Sequence, residues 1–164
     1  MRRTAVLITA LSLGLLLPAQ AQAKDLRQRV GLGFSNQFGH LSSLSVKYGM
    51  PTNNPAVNIQ AQLVGGYSLL NNTTPAWFVG GRGLYGFVAE DNMNLYLAAG
   101  VGYKADGVDN ALRIQPALGA EFFLFGLENL GLSAECGVDL DLLGPGVDTY
   151  TFGGAAAVGA HYYF

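Results

Sequence analysis

From Arg27 onward, apolar residues alternate singly with small or polar ones in eight successive segments. The clearest sets Leu130, Leu132, Ala134, Cys136, Val138 and Leu140 against Gly131, Ser133, Glu135, Gly137, Asp139 and Asp141. The last, Thr149 to Phe164, sets Tyr150, Phe152, Gly154, Ala156, Val158, Ala160, Tyr162 and Phe164 against Thr151, Gly153, Ala155, Ala157, Gly159, His161 and Tyr163. The same period runs from Arg27 to Asn36, from Leu41 to Met50, and through the stretches centred on Ala61, Gly83, Ala99 and Leu118. A period of two places successive side chains on opposite faces of a strand, so each segment has one apolar and one polar face. Each segment is about 9 to 11 residues, the length a tilted strand needs to cross a bilayer.

Breakers separate the segments: Pro51-Thr52-Asn53-Asn54-Pro55, Asn71 to Pro75, Glu90-Asp91-Asn92, Asp106-Gly107 and Gly144-Pro145-Gly146. An even number of such strands joined by short turns predicts an all-β fold, an eight-stranded antiparallel up-and-down transmembrane β-barrel. Pro116 lies inside the sixth segment and has no N–H to give, so a bulge or a missing ladder bond is expected there.

Alternation alone does not decide which face points inward, because a soluble barrel with an apolar interior has the same period. The aromatic residues decide it. Phe34, Tyr67, Trp77, Tyr103, Tyr150 and Phe152 fall at one end of their segments; Tyr48, Tyr85, Phe87, Phe122, Tyr162 and Phe164 fall at the other. Between them the apolar face carries only Val, Leu, Ile, Ala, Gly, Cys and Pro. Two aromatic girdles around an aliphatic band are the layering of a lipid-facing barrel surface. Cys136, the only cysteine, lies on that face and is expected to pack against lipid.

The chain's beginning agrees with this reading. Arg2 and Arg3, an apolar run from Ala5 to Leu17, and Ala21-Gln22-Ala23 read as a Sec signal peptide over residues 1–23, leaving 24–164 as one barrel domain. No run of about 18 apolar residues follows, so the 50% hydrophobic content must be spread over strands. With 9 basic and 11 acidic residues the chain has no basic stripe, and nucleic acid is not an expected partner.

The polar face then lines a lumen, and its ionisable residues sort by depth. Arg29, Lys47, Glu121 and His161 lie near the periplasmic end, Arg82 and Glu135 in the middle, and Lys104, Arg113, Asp139 and Asp141 toward the outside. Each layer holds both signs, as burial demands. The expected result is a polar plug, with wet cavities because the lumen face is also rich in Gly, Ala and Ser. No cofactor, metal site or catalytic group is expected. His40-x-Ser42 is similar to the His-x-Ser pair of lipid A deacylases, with Asp148 as a possible orienting acid, but the match is only three positions long.

Gly159-x-x-Tyr162-x-Phe164 resembles the C-terminal signal that addresses bacterial outer-membrane barrels to their assembly machinery. Over residues 24–164 the chain resembles the small OmpA and OmpX type of barrel without an added periplasmic domain. That resemblance implies a Gram-negative outer membrane, periplasmic chaperones and the barrel-assembly machinery during biogenesis, and membrane lipids with lipopolysaccharide as surroundings. The leading expectation is a structural or interaction barrel, not an enzyme. The alternative is a narrow, porin-like channel for small solutes, and the outsider a lipid A modifying enzyme. The outer connections, about five to seven residues each, offer little material for recognition.

Overall fold

The computed structural model describes residues 24–37, 42–54, 57–68, 76–105, 110–143 and 150–164. The expected signal peptide, His40, Asp148 and most of the outer connections lie outside them. Eight strands follow in chain order: β1 (Val30–Ser35), β2 (Ser43–Gly49), β3 (Asn58–Ser68), β4 (Ala76–Glu90), β5 (Met93–Ala105), β6 (Asn110–Leu124), β7 (Leu127–Leu143) and β8 (Tyr150–Tyr163). Each pairs antiparallel with its neighbours in sequence, and β8 returns to β1 to close the barrel. Following cross-strand partners from Ala160 through Phe34, Leu44, Gly65, Val79, Tyr103, Leu112 and Leu142 leads back to β8 at Tyr150, ten residues away. Eight strands with that stagger tilt by about 40° from the barrel axis.

The polarity is inverted relative to a water-soluble core. Leu132 is 38% exposed and Cys136 is exposed, whereas their neighbours Glu135 and Asp139 are 8% and 6% exposed. The same parity recurs in the other strands, in β8 from Ala157 on: Lys47, Gln60, Gln62, Arg82, Asn94, Gln115, Glu121 and His161 are buried inside, while Val46, Leu63, Val79, Leu97, Leu118 and Val158 face out.

The strands are less uniform than the segments predict. β3 to β8 have 11 to 17 residues, but β1 has 6 and β2 has 7. Local hydrogen bonds end the short pair. Ser43 Oγ donates to the Ser35 carbonyl at 2.5 Å, and Asn36 Oδ1 accepts from Val158 N at 2.7 Å. Such side-chain bonds take backbone groups out of the ladder. Beyond Ser35, residues Tyr150 to Val158 of β8 pair with β7 but with no strand on their other edge among the described residues. Beyond Leu44 and Gly65, Gly66 to Ser68 of β3 pair only with β4 among the described residues. Among the described residues, the β1–β2 pair therefore ends short of the neighbouring strands at the end far from Phe164.

Arg27 to Arg29 are not strand. Gln28 takes a left-handed φ of 61°, and the turn carries Leu26 across the terminal end of the barrel, where it packs with Phe123 and Tyr163. Gly49 makes room for this turn: a Cβ there would stand 1.7 Å from the Leu26 carbonyl oxygen. At Pro116 the ladder to β5 continues opposite Ala99, while Gln115 and Pro116 have no β7 partners. The register on either side is unchanged, Ile114 with Leu140 and Ala117 with Gly137, so proline interrupts bonding without forming a bulge. The register shifts fall instead at Gly86/Val88 and Phe123/Leu124.

Candidate functional site

The lumen carries the chemistry, and its side chains join into one network. Near the terminal end, Lys47 on β2 reaches Glu121 on β6 at 2.8 Å, and both side chains are fully buried. These strands stand opposite each other in an eight-strand ring, so the ion pair spans the lumen. Tyr163 donates to the same carboxylate at 2.9 Å and lies 3.2 Å from Gln60 Oε1. Beside them, Ser45 Oγ is 2.7 Å from His161 Nε2 and accepts from Gln62 Nε2 at 2.7 Å. Among the described residues His161 Nδ1 has no hydrogen-bond partner, so this Ser–His pair lacks the third group that orients a hydrolytic base.

At mid-height Glu135 is the hub. It accepts from Arg82 at 2.5 Å, from the Tyr96 hydroxyl at 2.6 Å and from Gln37 Nε2 at 2.8 Å. Tyr96 also links downward, its ring centroid 5.7 Å from Lys47 Nζ. Gln115 links upward: its amide oxygen faces Arg82 at 3.4 Å and its amide nitrogen donates to Asp139 at 2.8 Å. Arg113 then grips Asp141 through two nitrogens at 2.6 and 2.8 Å and Asp139 through a third at 2.8 Å. Lys104, 2.8 Å from Asp141, ends the series, with its side chain 24% exposed. The carboxylates therefore receive charge-assisted bonds from neighbours of opposite sign, the condition under which buried charges are tolerated.

Glycines on the lumen face make room for aromatic rings. A Cβ on Gly119 would lie 2.5 Å from Tyr96 Cζ, one on Gly31 2.8 Å from Tyr163 Cε1, and one on Gly66 2.5 Å from Phe78 Cε1. The small residues expected to leave the lumen unfilled are, at these positions, the floor on which rings lie. Among the described residues, Asn94, Asn58 Nδ2, Ser133 Oγ and Gln62 Oε1 present polar atoms without hydrogen-bond partners.

Of the ionisable residues expected in the lumen, Lys47, Glu121, Arg82, Glu135, Lys104, Arg113, Asp139 and Asp141 form ion pairs that respect the three depths. His161 sits at its depth but partners a hydroxyl. Arg29 lies outside the strands at the terminal rim, 3.0 Å from Asn129 Oδ1. The uncharged members Gln37, Tyr96, Tyr163, Gln60 and Gln115 were not singled out by charge. For Tyr96 and Tyr163 the available signal was bulk, a large residue on a parity otherwise filled by small ones. Gln37 follows β1 and carried no signal.

On the outside, Trp77 and Tyr103 meet at 5.5 Å between ring centres, with Tyr67 directly opposite Trp77. Tyr150 and Phe152 are exposed at the same end of β8. Tyr48, Tyr85, Phe87, Phe122, Tyr162 and Phe164 are exposed toward the terminal end, and Tyr162 contacts Phe164 edge-on at 5.1 Å. Phe34 pairs with Ala160, so on its short strand it stands below the far-end aromatics. Gly159, Tyr162 and Phe164 occupy the closing seam: Gly159 pairs with Ser35, Tyr162 with Leu32, and Phe164 N donates to Val30 O at 2.9 Å. Ser42 is exposed. Among the described residues, no three or more His, Cys, Asp or Glu side chains gather closely enough to hold a metal. Comparison with protein-family models, with curated proteins and with solved structures gives no match.

Proposed function

We propose that this chain is an integral outer-membrane β-barrel of a Gram-negative bacterium with a structural or interaction role, its lumen blocked by the ion-pair network. The observation that carries the reading is the inverted polarity: the outward side chains form an aliphatic band with aromatic residues toward both ends, and charges lie within. That surface suits hydrocarbon, and a closed barrel leaves few backbone groups to satisfy there. Export through the Sec pathway, periplasmic chaperones and the barrel-assembly machinery, with lipopolysaccharide as outer surroundings, belong to the same proposal.

The blocked state is supported by ion pairs crossing from β2 to β6 and from β4 to β7 at successive depths. The test is twofold. The expressed protein should co-fractionate with the outer membrane, resist carbonate extraction and migrate faster on gels when unboiled; recovery in the soluble fraction overturns the reading. In planar bilayers the wild type should not conduct. Steady wild-type conductance altered by Arg82→Ala or Glu135→Ala would replace the plug with the small-solute channel, which the lumen atoms that lack partners among the described residues favour.

A further inference from the structure

We propose that residues 24–29 form a hinged strap that corks the terminal mouth of the barrel with Leu26 and lifts when the ion pair at its free end is released. The inference goes beyond the membrane reading and does not need it, since it concerns one mouth of the closed barrel. Gln28 N donates to Gly49 O at 2.8 Å and Gly49 N donates to Arg29 O at 3.0 Å, which fixes one end of the strap on β2. Arg29 also donates to Asn129 Oδ1 at the rim. From this anchor the left-handed turn at Gln28 leads to Leu26, whose carbonyl lies against Gly49 on β2 and whose side chain packs with Phe123 on β6. β2 and β6 are opposite strands of the ring. A residue that touches both therefore spans the mouth, and Leu26 is 1% exposed there.

The two ends of the strap are held unequally. Backbone bonds hold the hinge, whereas side chains in water hold the free end. Lys24 Nζ donates to Glu128 Oε2 at 3.1 Å and stands 5.7 Å from the Phe123 ring centre, but the Glu128 side chain is 79% exposed. So exposed an ion pair contributes little and is screened by salt. Arg27 bonds to Asp25 inside the strap, so the segment moves as one body, and its other contact, with the Thr52 carbonyl, is on the β2 side. The layer under the cork favours water. Glu121 is the next lumen residue inward from Phe123 and pairs with Asn94; Tyr163 joins Glu121 to Gln60, and Asn58 is the adjacent lumen residue on β3. Among the described residues, both amide atoms of Asn94 and the Nδ2 of Asn58 are buried without a hydrogen-bond partner. Such groups destabilise the shut mouth and regain hydrogen bonds when water enters. Burial of Leu26 opposes them, and the Lys24–Glu128 latch adds the small increment that keeps the strap down.

The experiment times thiol modification by iodoacetamide, which is small, neutral and water-soluble, in the purified full-length barrel with a Cys136→Ser background. Asn94→Cys reports the layer under the cork, since that replacement breaks no hydrogen bond among the described residues. Ala98→Cys, two lumen positions further in on β5, is the control. Only preparations with the β-sheet circular dichroism of wild type are compared. With the strap intact the Asn94→Cys thiol should react far more slowly than free cysteine. Adding Leu26→Ala should accelerate it at least about tenfold. Adding Glu128→Gln should accelerate it about two- to fivefold. Salt at about 1 M should match the Glu128→Gln effect in the intact strap and add little to that variant. The Ala98→Cys thiol should stay slow throughout. Reaction at the rate of free cysteine under the intact strap overturns the closed mouth, and an unchanged rate with Leu26→Ala overturns the cork. Equal acceleration of the Ala98→Cys thiol overturns the hinge in favour of general loosening. If neither Glu128→Gln nor salt has an effect, the latch is overturned; that exposed variant also supplies the reading where Leu26→Ala does not fold.

Discussion

Glu121→Gln puts a free-energy scale on the network. The wild-type carboxylate and the Lys47 ammonium are both fully buried, 2.8 Å apart, and Tyr163 supplies a second donor. The amide removes the charge but keeps the shape, leaving the ammonium enclosed without its counter-ion. Breaking a buried pair in this way costs roughly 3–5 kcal/mol. Tyr163 retains an acceptor in the amide oxygen, which spares about 1 kcal/mol, so a net loss of about 2–4 kcal/mol is expected. Lys47→Met strands the carboxylate and should cost a similar amount. The double variant has no buried charge at this layer and should return to within about 1–2 kcal/mol of wild type. Urea unfolding of the reconstituted barrel, followed by tryptophan fluorescence and unboiled gel mobility, reads these values. With a slope near 2 kcal/mol per molar, each single variant should lower the midpoint by roughly 1–2 M. Single variants within about 1 kcal/mol of wild type, or a double variant as unstable as the sum of both, would refute the claim that the two charges stabilise each other.

Gly119→Ala pushes a methyl group into the Tyr96 ring and loosens its bond to Glu135; a loss of about 1–3 kcal/mol in the same unfolding assay is expected, with Gly83→Ala, where nothing lies within 4 Å, as the silent control. Asn36→Ala frees the Val158 amide just past the last β1–β8 pair, so hydrogen exchange at Val158 should accelerate while exchange at Ala134, its partner on β7, stays slow. Asp25 lies before β1, and its hydrogen bonds with Arg27 hold its carboxyl down at about 2. A depressed carboxyl contributes stability above its ordinary range and loses it as pH falls toward 2, so NMR titration should show Asp25 ionised at pH 3 and returned toward ordinary behaviour by Arg27→Ala.

The period of two carried the architecture. It placed Glu135 and Asp139 inside and Leu132 and Cys136 outside, and the paired charges at each depth followed from that parity. Three features were not legible there. The alternation of Leu41 to Met50 looks like that of any other segment, yet its strand ends early because Ser43, Ser35 and Asn36 exchange side-chain bonds with the backbone. Gln37 reaches Glu135 through a turn whose course depends on tertiary contacts. The apolar Leu26 lies outside any alternating run, and its burial against Phe123 and Tyr163 joins residues distant in sequence. Pro116 was legible as an interruption, but its form, a lapse without a register change, depends on neighbours that keep the frame.

The joint between first and last strands has a mechanical consequence. β1 and β8 share five residue pairs, Gly31 to Ser35 with Tyr163 to Gly159, whereas β7 and β8 share thirteen. Cohesion is thus unevenly distributed around the ring, and this short zip is its weakest line. Under tension the cylinder parts there first and uncurls as one sheet, so deuterium should enter Gly31 to Ser35 well before the β6–β7 ladder yields.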